Sequence, residues 1–192
     1  MNLDLLSRKA ILGPAAALVL VAGAVAGCSS HGASSGGAND SAAGKAMLAA
    51  WKSGTCPSEG SDWGGFNSGM ALPTAKAGQT VALLPGTVTR IVLCRFDLDT
   101  SVLTGSALVT DTSTVTRLRT DLNSVTAVAN SSCIQGDQVI IMAGDGDNVV
   151  GFNALVGPCP YLNSPSQVAD FGNTSLAHDL DTVLGPVATP TS

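Results

Sequence analysis

The hydrophobic positions of this chain are patterned most clearly after Thr87. Val88 to Phe96 (VTRIVLCRF) is rich in β-branched and apolar residues, which predicts a strand that is buried over most of its length. Asp97 to Thr100 supplies residues that favour a turn, and Ser101 to Val109 is typical of a second strand. These residues therefore predict a β-hairpin.

A helical stripe follows the hairpin. Asp111 or Thr112 is placed to cap the N-terminus of a helix. Arg117 and Asp121 form an i,i+4 ion pair on the exposed face of this helix. Apolar residues at spacings of three and four predict its buried face: Val115, Leu118, Leu122, Val125 and Ala129.

A second hairpin is predicted after this helix. Gln138 to Ala143 and Val149 to Val156 are apolar segments of strand length. Between them, Gly144 to Asn148 (GDGDN) supplies turn residues that can adopt a positive φ. These residues faintly resemble a calcium loop, but the D-x-D-x-D-G spacing and the distal Glu are missing. A hairpin turn is therefore expected.

Short helices flank this unit, and residues 57–79 hold too much Gly, Ser and Pro for assignment. Ala46 to Trp51 predicts a helix ended by Gly54, and the apolar positions from Leu176 to Leu184 predict another, ended by Gly185. The order ββαββ predicts an α+β domain: a four-stranded antiparallel sheet with one packed helix, short flanking helices and two disulfides.

The N-terminus has the pattern of an export signal. Arg8 and Lys9 precede an apolar segment from Ala10 to Ala24, and Val25-Ala26-Gly27-Cys28 follows. This tetrapeptide resembles the lipobox of bacterial lipoproteins. The resemblance implies cleavage between Gly27 and Cys28 and attachment of diacylglycerol, with its fatty acyl chains, to Cys28.

Three alternatives stay open for the leader. Ala24-Val25-Ala26 resembles an A-x-A site, so ordinary secretion is conceivable. A retained transmembrane helix needs about 20 apolar residues, and Ala10–Gly27 is shorter than that. Ser7 to Leu12 faintly resembles a twin-arginine signal, but Lys9 replaces the second Arg, which favours the general secretion route.

The sequence indicates four regions along the chain. Residues 1–27 are the signal peptide, and residues 28–44 are the lipidated cysteine and a flexible tether of Gly, Ser and Ala. Residues 45–185 are the single small domain, and residues 186–192 are a tail. The expected location is extracytoplasmic, with diacylglyceryl-Cys28 in the cell membrane. A formal charge of −5, with few basic residues, argues against a nucleic-acid partner.

Four cysteines remain once Cys28 is assigned to lipid. An even number in an exported chain indicates two disulfides among Cys56, Cys94, Cys133 and Cys159. The predicted strand directions favour Cys94–Cys133 with Cys56–Cys159, and Cys94–Cys159 is nearly as reachable. The chain has no C-x-x-C, and none of the four has a His nearby, so metal or redox chemistry is not indicated. The folded part also loosely resembles small exported lipoproteins of actinobacteria, in which a Cys-bearing strand, a helix and two later cysteines recur. That resemblance implies no activity.

No catalytic set is recognised, and no cofactor or metal is indicated. His178 lies on the predicted last helix without a positioned nucleophile, so an exposed helical His is the expected reading. The G-x-S-x-G string at Gly32–Gly36 lies within the tether and lacks the strand and helix that a nucleophile elbow needs. Trp63 and Phe66 could form an aromatic ligand surface, but covering the edge of the core is the favoured reading.

The predicted function is therefore that of a non-enzymatic binding or interaction module of the cell envelope. A small envelope hydrolase that uses His178 and an Asp is one alternative. A small-ligand-binding lipoprotein is another.

Overall fold

The computed structural model describes residues 41–60, 65–130 and 136–185. In these ranges the chain forms three helices and a nine-stranded sheet. The elements in chain order are α1 (Ala42–Ser53), β1 (Phe66–Ser68), β2 (Thr80–Val81), β3 (Arg90–Phe96), β4 (Leu103–Val109), α2 (Thr112–Leu122), β5 (Val125–Val128), β6 (Asp137–Asp145), β7 (Asn148–Val156), β8 (Tyr161–Asn163), β9 (Val168–Asp170) and α3 (Leu176–Leu184).

All strand pairs in this sheet are antiparallel, and the spatial order is β2-β5-β9-β8-β7-β6-β3-β4. The outer edge of β7 is shared by two short strands. Strand β1 pairs along Val149–Gly151, and β8 pairs along Asn153–Leu155. Strand β1, which lies early in the chain, therefore pairs with a strand in the middle of the sheet.

The predicted α+β class is confirmed, but the predicted four-stranded sheet is too small. The four predicted strands correspond to β3, β4, β6 and β7, which form the two long hairpins. The other five strands are only two to four residues long. Segments that short carry no readable periodicity.

The predicted helical stripe is correct at its start and wrong at its end. The Asp111 side chain accepts a hydrogen bond from the Thr114 amide and caps α2. Hydrogen bonds from the Ser113 hydroxyl and the Thr114 amide lower the pKa of Asp111 to about 2. The helix ends at Leu122, and Val125 continues the buried surface as part of β5. Here β-branched residues and sheet pairing override the helical spacing.

The two faces of the sheet are covered by different helices, whereas one packed helix is predicted from the sequence. On one face, α2 and α3 pack over alternate residues of the long strands, among them Leu93, Ile141 and Phe152. On the other face, α1 packs over the intervening residues such as Val92 and Met142. The long central strands are buried on both faces, which explains their continuous apolar sequences.

Helix α1 is held on its face of the sheet by Trp51, which is 1% exposed. The indole Nε1 donates to the Gly146 carbonyl oxygen over 2.9 Å, and the Arg90 guanidinium lies 4.0 Å from the ring centroid. Arg90 also donates to the Trp51 carbonyl oxygen over 2.7 Å. The helix begins at Ala42, so the predicted tether boundary at Gly44 lies inside it.

The turn between β6 and β7 is a hairpin turn, as its sequence predicts. Gly146 adopts a positive φ of 57°, which favours glycine. At Gly144 a Cβ atom would lie 2.0 Å from the Asn148 carbonyl oxygen. The two strands approach closely here only because this position lacks a side chain.

Arg95 crosses from the sheet to α3 and is 2% exposed. Its guanidinium donates to Asp181 and, over 2.6 Å, to the Gly185 carbonyl oxygen. Its Nε lies 3.9 Å from an Asp137 carboxylate oxygen. Burial raises the pKa of Asp137, and the charge of Arg95 partly offsets that effect. The end of α3 is fixed to the sheet by this buried cation.

Candidate functional site

A cleft of about 410 Å³ opens where the β7–β8 loop meets the ends of β5 and β9. Its volume lies within the range of about 300–1,000 Å³ that is usual for small-molecule sites. Described residues from three short strands and three loops line it: Val128, Asn130, Pro158, Cys159, Pro160, Tyr161, Asp170, Gly172 and Asn173.

Strand pairing places the two central polar groups of the cleft. Tyr161 at the start of β8 is directly opposite Asp170 at the end of β9. After Asp170, Phe171 is 1% exposed, and its amide donates to the Pro160 carbonyl oxygen over 3.3 Å. This buried anchor holds the turn that carries Gly172 and Asn173 beside the β7–β8 loop.

The polar groups of the cleft keep hydrogen-bonding capacity. An Asp170 oxygen accepts from the Gly172 amide over 2.6 Å. Partial burial raises the pKa of Tyr161, so its hydroxyl is a neutral donor at physiological pH. Among the described residues, no side-chain hydrogen bond is formed by Asn130, Tyr161 or Asn173. The described lining contains one carboxylate and no Lys or Arg. Such a surface fits an uncharged or positively charged ligand with hydroxyl or amide groups, and it disfavours an anion.

A second group of titratable residues lies between α2 and α3. Asp179 is 5% exposed, and its Oδ2 lies 3.0 Å from Arg117 Nε. This contact is an ion pair rather than an aligned hydrogen bond, since Oδ2 has no hydrogen-bond partner. Asp121 lies against the same carboxyl. Burial, followed by the hydrogen bond and charge of Asp179, raises the pKa of Asp121 to about 6.

One basic side chain therefore acts on both carboxyls: Arg117 forms an ion pair with Asp179, and its charge partly offsets the raised pKa of Asp121. Arg117 was predicted to pair with Asp121 on an exposed face. In the structure, Arg117 is 48% exposed and its ion pair is with Asp179 of α3, and among the described residues no ion pair joins it to Asp121. Arg117, Asp121 and Asp179 do not line the cleft. They lie where α2 contacts α3.

The predicted disulfide pairing is wrong. Cys56 is bonded to Cys94, with Cα atoms 5.7 Å apart, so neither Cys94–Cys133 nor Cys56–Cys159 exists. Because α1 packs on the face of β3 that carries Cys94, the chain leaving α1 places Cys56 beside it. Within the described ranges this is the one complete bridge, not two. Cys159 is also disulfide-bonded.

The structure describes only some of the other predicted site residues. Cys28, Cys133 and Trp63 lie outside the described residues. Phe66 is 1% exposed and packs with Trp51 under α1, so it offers no aromatic surface to a ligand.

His178 is exposed on α3 and is not part of the cleft lining. The next residue, Asp179, points to α2 instead of His178. In the part of the chain that the structure describes, no serine or cysteine hydrogen-bonds to the His178 side chain. The hydrolase alternative gains no support from this arrangement.

The acidic turns are also separated. Strand β3 runs antiparallel to β6, with Arg90 opposite Gly144 and Phe96 opposite Gln138. The Asp97–Thr100 turn and the Asp145–Asn148 turn therefore lie at opposite ends of the sheet. Among the described residues, no group of His, Cys, Asp or Glu is arranged to hold a metal ion.

The sequence alone does not indicate that the residues lining the cleft form one site. One feature of the sequence could have indicated the cleft: Tyr161 is the chain's only tyrosine, and it directly follows Pro158-Cys159-Pro160. Asn130, Asp170 and Asn173 are separated along the chain and carry no shared pattern. Within the described ranges, no helix has the length and apolar character needed to cross a bilayer.

Comparison with known proteins gives no similarity on which to draw. No family model matches the chain, and no curated protein or solved structure is significantly similar to it.

Proposed function

We propose that this chain is an exported lipoprotein, anchored through diacylglyceryl-Cys28, whose domain binds a small uncharged ligand in the cleft beside Tyr161. The lipobox-like Val25–Cys28 supports the anchor. The Cys56–Cys94 disulfide agrees with an oxidising compartment outside the cytoplasm. The residues between Cys28 and α1 are mainly Gly, Ser and Ala, the composition of a flexible linker.

The cleft itself carries the binding proposal. It combines apolar faces from Val128 and two prolines with hydrogen-bonding groups that the described residues leave free. Recognition sites for small molecules likewise combine apolar walls with a few convergent polar groups. Neutral, hydroxyl-bearing molecules such as saccharides match this lining, since no described cation is present to select an anion.

The anchor is tested by Cys28→Ala. Two acyl chains hold a protein firmly on a bilayer, whereas a protein without them partitions into water. We expect the variant to leave the detergent phase in a phase-partition assay and to appear in the medium. An unchanged membrane fraction would contradict the anchor and leave the cleft proposal intact.

The cleft is tested by nuclear magnetic resonance on the Cys28→Ala chain. Trehalose, maltose and chitobiose are the probes, with choline as the cationic comparison. Binding should shift the amide signals of Tyr161, Asp170 and Asn173. Tyr161→Phe should weaken binding about three- to tenfold through the lost hydrogen bond. Asp99→Asn, in the distant β3–β4 turn, is the matched control.

Two outcomes would reject this ligand class. If the saccharides leave the cleft signals unmoved, the cleft does not bind neutral hydroxyl-bearing ligands. If choline alone binds and Asp170→Asn abolishes its binding, the cleft selects cations through its carboxylate.

A further inference from the structure

Helix α2 leads directly into one wall of the cleft. It ends at Leu122, and β5 then runs to Val128, which lines the cleft together with Asn130. Only Asn123 and Ser124 separate the helix from the strand. The position of this wall therefore depends on the end of α2.

Helix α3 follows the opposite wall. Residues 171–174 form a turn, called here the cleft turn, which contributes two residues to the cleft lining. The Thr174 hydroxyl donates to the Phe171 carbonyl oxygen over 2.8 Å and accepts from the Leu176 amide over 3.2 Å. Leu176 is the first residue of α3, so the cleft turn is joined by hydrogen bonds to the start of that helix.

Two acids lie where the end of α2 meets the start of α3. Asp121 is the second-last residue of α2, and Asp179 lies in the first turn of α3. Asp121 also lies against the amide of Ser175, the N-cap of α3, which has no side-chain cap. One oxygen of each carboxyl, Oδ2, is buried and has no hydrogen-bond partner among the described residues. A proton shared by the two carboxyls would supply the missing donor.

One cation faces this pair of acids. Arg117 Nε lies 3.0 Å from Asp179, but the Arg117 side chain is 48% exposed, so water screens its charge. Of the described residues, no further charged or titratable side chain acts on Asp121, and the sheet below the two helices presents apolar side chains. With both carboxyls ionised, two negative charges therefore meet with one screened positive charge between the helices. Such a pair resists ionisation of its second member.

We propose that protonation of the Asp121–Asp179 pair regulates the cleft, so that its ligand binds more tightly in acidic than in neutral medium. This inference rests on the proposed ligand-binding function of the cleft. In the protonated pair, the Asp121 hydroxyl donates to Asp179 and joins the end of α2 to the start of α3. Loss of the proton replaces this hydrogen bond by repulsion, and the start of α3 moves away with the cleft turn attached. A ligand that binds the joined form promotes proton uptake, because such a linkage is reciprocal.

The pH range of the regulation follows from the burial of Asp121. Burial, with the hydrogen bond and charge of Asp179, raises the pKa of Asp121 to about 6. The shared proton is therefore bound at pH 5 and lost by pH 7.5, and the cleft turn should change its surroundings between these values.

Nuclear magnetic resonance on the ligand-free Cys28→Ala chain measures this change between pH 4 and pH 8. The amide signals of Asn173 and Thr174 should shift with a midpoint near pH 6. Asp121→Asn should abolish the transition, because its side chain carries no titrating proton. Asp179→Asn should move the midpoint to lower pH, because it removes the second acid.

Three choices exclude other titrations. Imidazoles titrate in the same pH range, so each chain is made in the His178→Gln background, where the replaced side chain is exposed. The Gly172 amide is not used, since it donates to Asp170 directly. Asp99→Asn, in an exposed turn, should leave the transition unchanged. A dispersed amide spectrum verifies the fold of each variant.

Trehalose, maltose and chitobiose measure the effect on binding. A saccharide that binds in the cleft should bind about fivefold more weakly at pH 7.5 than at pH 5. The same saccharide should bind the Asp121→Asn variant about equally at both values. Equal affinity of the natural cleft at the two pH values would overturn the regulation.

The ligand-free titration separates this inference from the proposed function. Unmoved signals of Asn173 and Thr174, or a transition that survives Asp121→Asn, would reject the coupling whether or not a saccharide binds. An unchanged midpoint in Asp179→Asn would also reject it. A transition that depends on Asp121, in a chain that binds none of the three saccharides, would support the coupling and reject only the ligand class.

Discussion

At the scale of single residues, the pair of carboxyls between α2 and α3 has the clearest consequence. Asp121 and Asp179 lie together with one exposed cation, Arg117, which is 48% exposed. In the sequence, Asp121 lies four residues after Arg117, and this spacing predicts an ion pair on the exposed face of a helix. Only the packing of α3 reveals that Asp121 faces a second acid.

This pair makes stability depend on pH. The pKa of Asp121 is raised from 3.8 to about 6, so folding favours its protonated form. The resulting stabilisation is fully present below about pH 4 and is lost as the pH rises through about 6. Asp121→Asn should remove that loss, because the amide stays neutral and can still donate to Asp179.

Urea unfolding at pH 4.5 and pH 7.5 measures the effect. Asp121→Asn should have a higher free energy of unfolding than the natural chain at pH 7.5, and the difference should shrink at pH 4.5. Asp99→Asn, in an exposed turn, is the control. A variant that is less stable than the natural chain at pH 7.5 would disprove the assignment.

At the scale of elements, length decides what the sequence could predict. The hairpins β3–β4 and β6–β7 have strands of seven and nine residues, long enough for their apolar character to stand out. Strand β8 has three residues, and its pairing with β7 is set by the chain around it. The cleft lies where three such short strands meet, so no local pattern could predict it.

The attachment of α1 is also an element-scale property. Its buried Met47 and Trp51 cover one sheet face, and the Cys56–Cys94 bridge ties its end to β3. The bridge spans 38 residues of sequence. The chain-entropy relation for a loop of that length gives about 4 kcal/mol of stabilisation.

Cys56→Ala with Cys94→Ala should therefore lower the free energy of unfolding by about 2–4 kcal/mol. The double variant is used because a single change leaves a free thiol. Non-reducing peptide mapping of the natural chain should join the peptides that contain these two cysteines. A bridge from either one to Cys159 would refute the pairing described above.

At the scale of the whole molecule, the two hydrophobic layers share one sheet. Side chains of β3 alternate between them: Ile91 and Leu93 pack under α2 and α3, while Val92 and Cys94 pack under α1. Both layers pack on the same strands, so the loss of either layer exposes one hydrophobic face of the central sheet to water. We therefore expect a single cooperative unfolding transition.

This expectation is measurable with two probes. Far-ultraviolet circular dichroism follows the whole sheet, and tryptophan fluorescence includes Trp51 under α1. Their urea transitions should coincide. Leu118→Ala, on the opposite layer, should shift both midpoints equally, with a loss of about 2–5 kcal/mol. An early fluorescence transition would mean that α1 detaches on its own.

The fold class and the central hairpins were therefore predictable, because both depend on patterns within one stretch of sequence. The full width of the sheet could not be predicted from the sequence. It depends on pairings such as Phe66 with Gly151 and Thr126 with Asp170, which join distant segments without a local signal.

Those distant pairings determine when the chain can fold. The Trp51 indole reaches Gly146, 95 positions later, and β1 completes the edge of a strand that is synthesised long after it. Such a high contact order slows folding. A newly made chain therefore cannot complete its sheet until its C-terminal half has been synthesised, and this delay agrees with the proposed export of the chain before it folds.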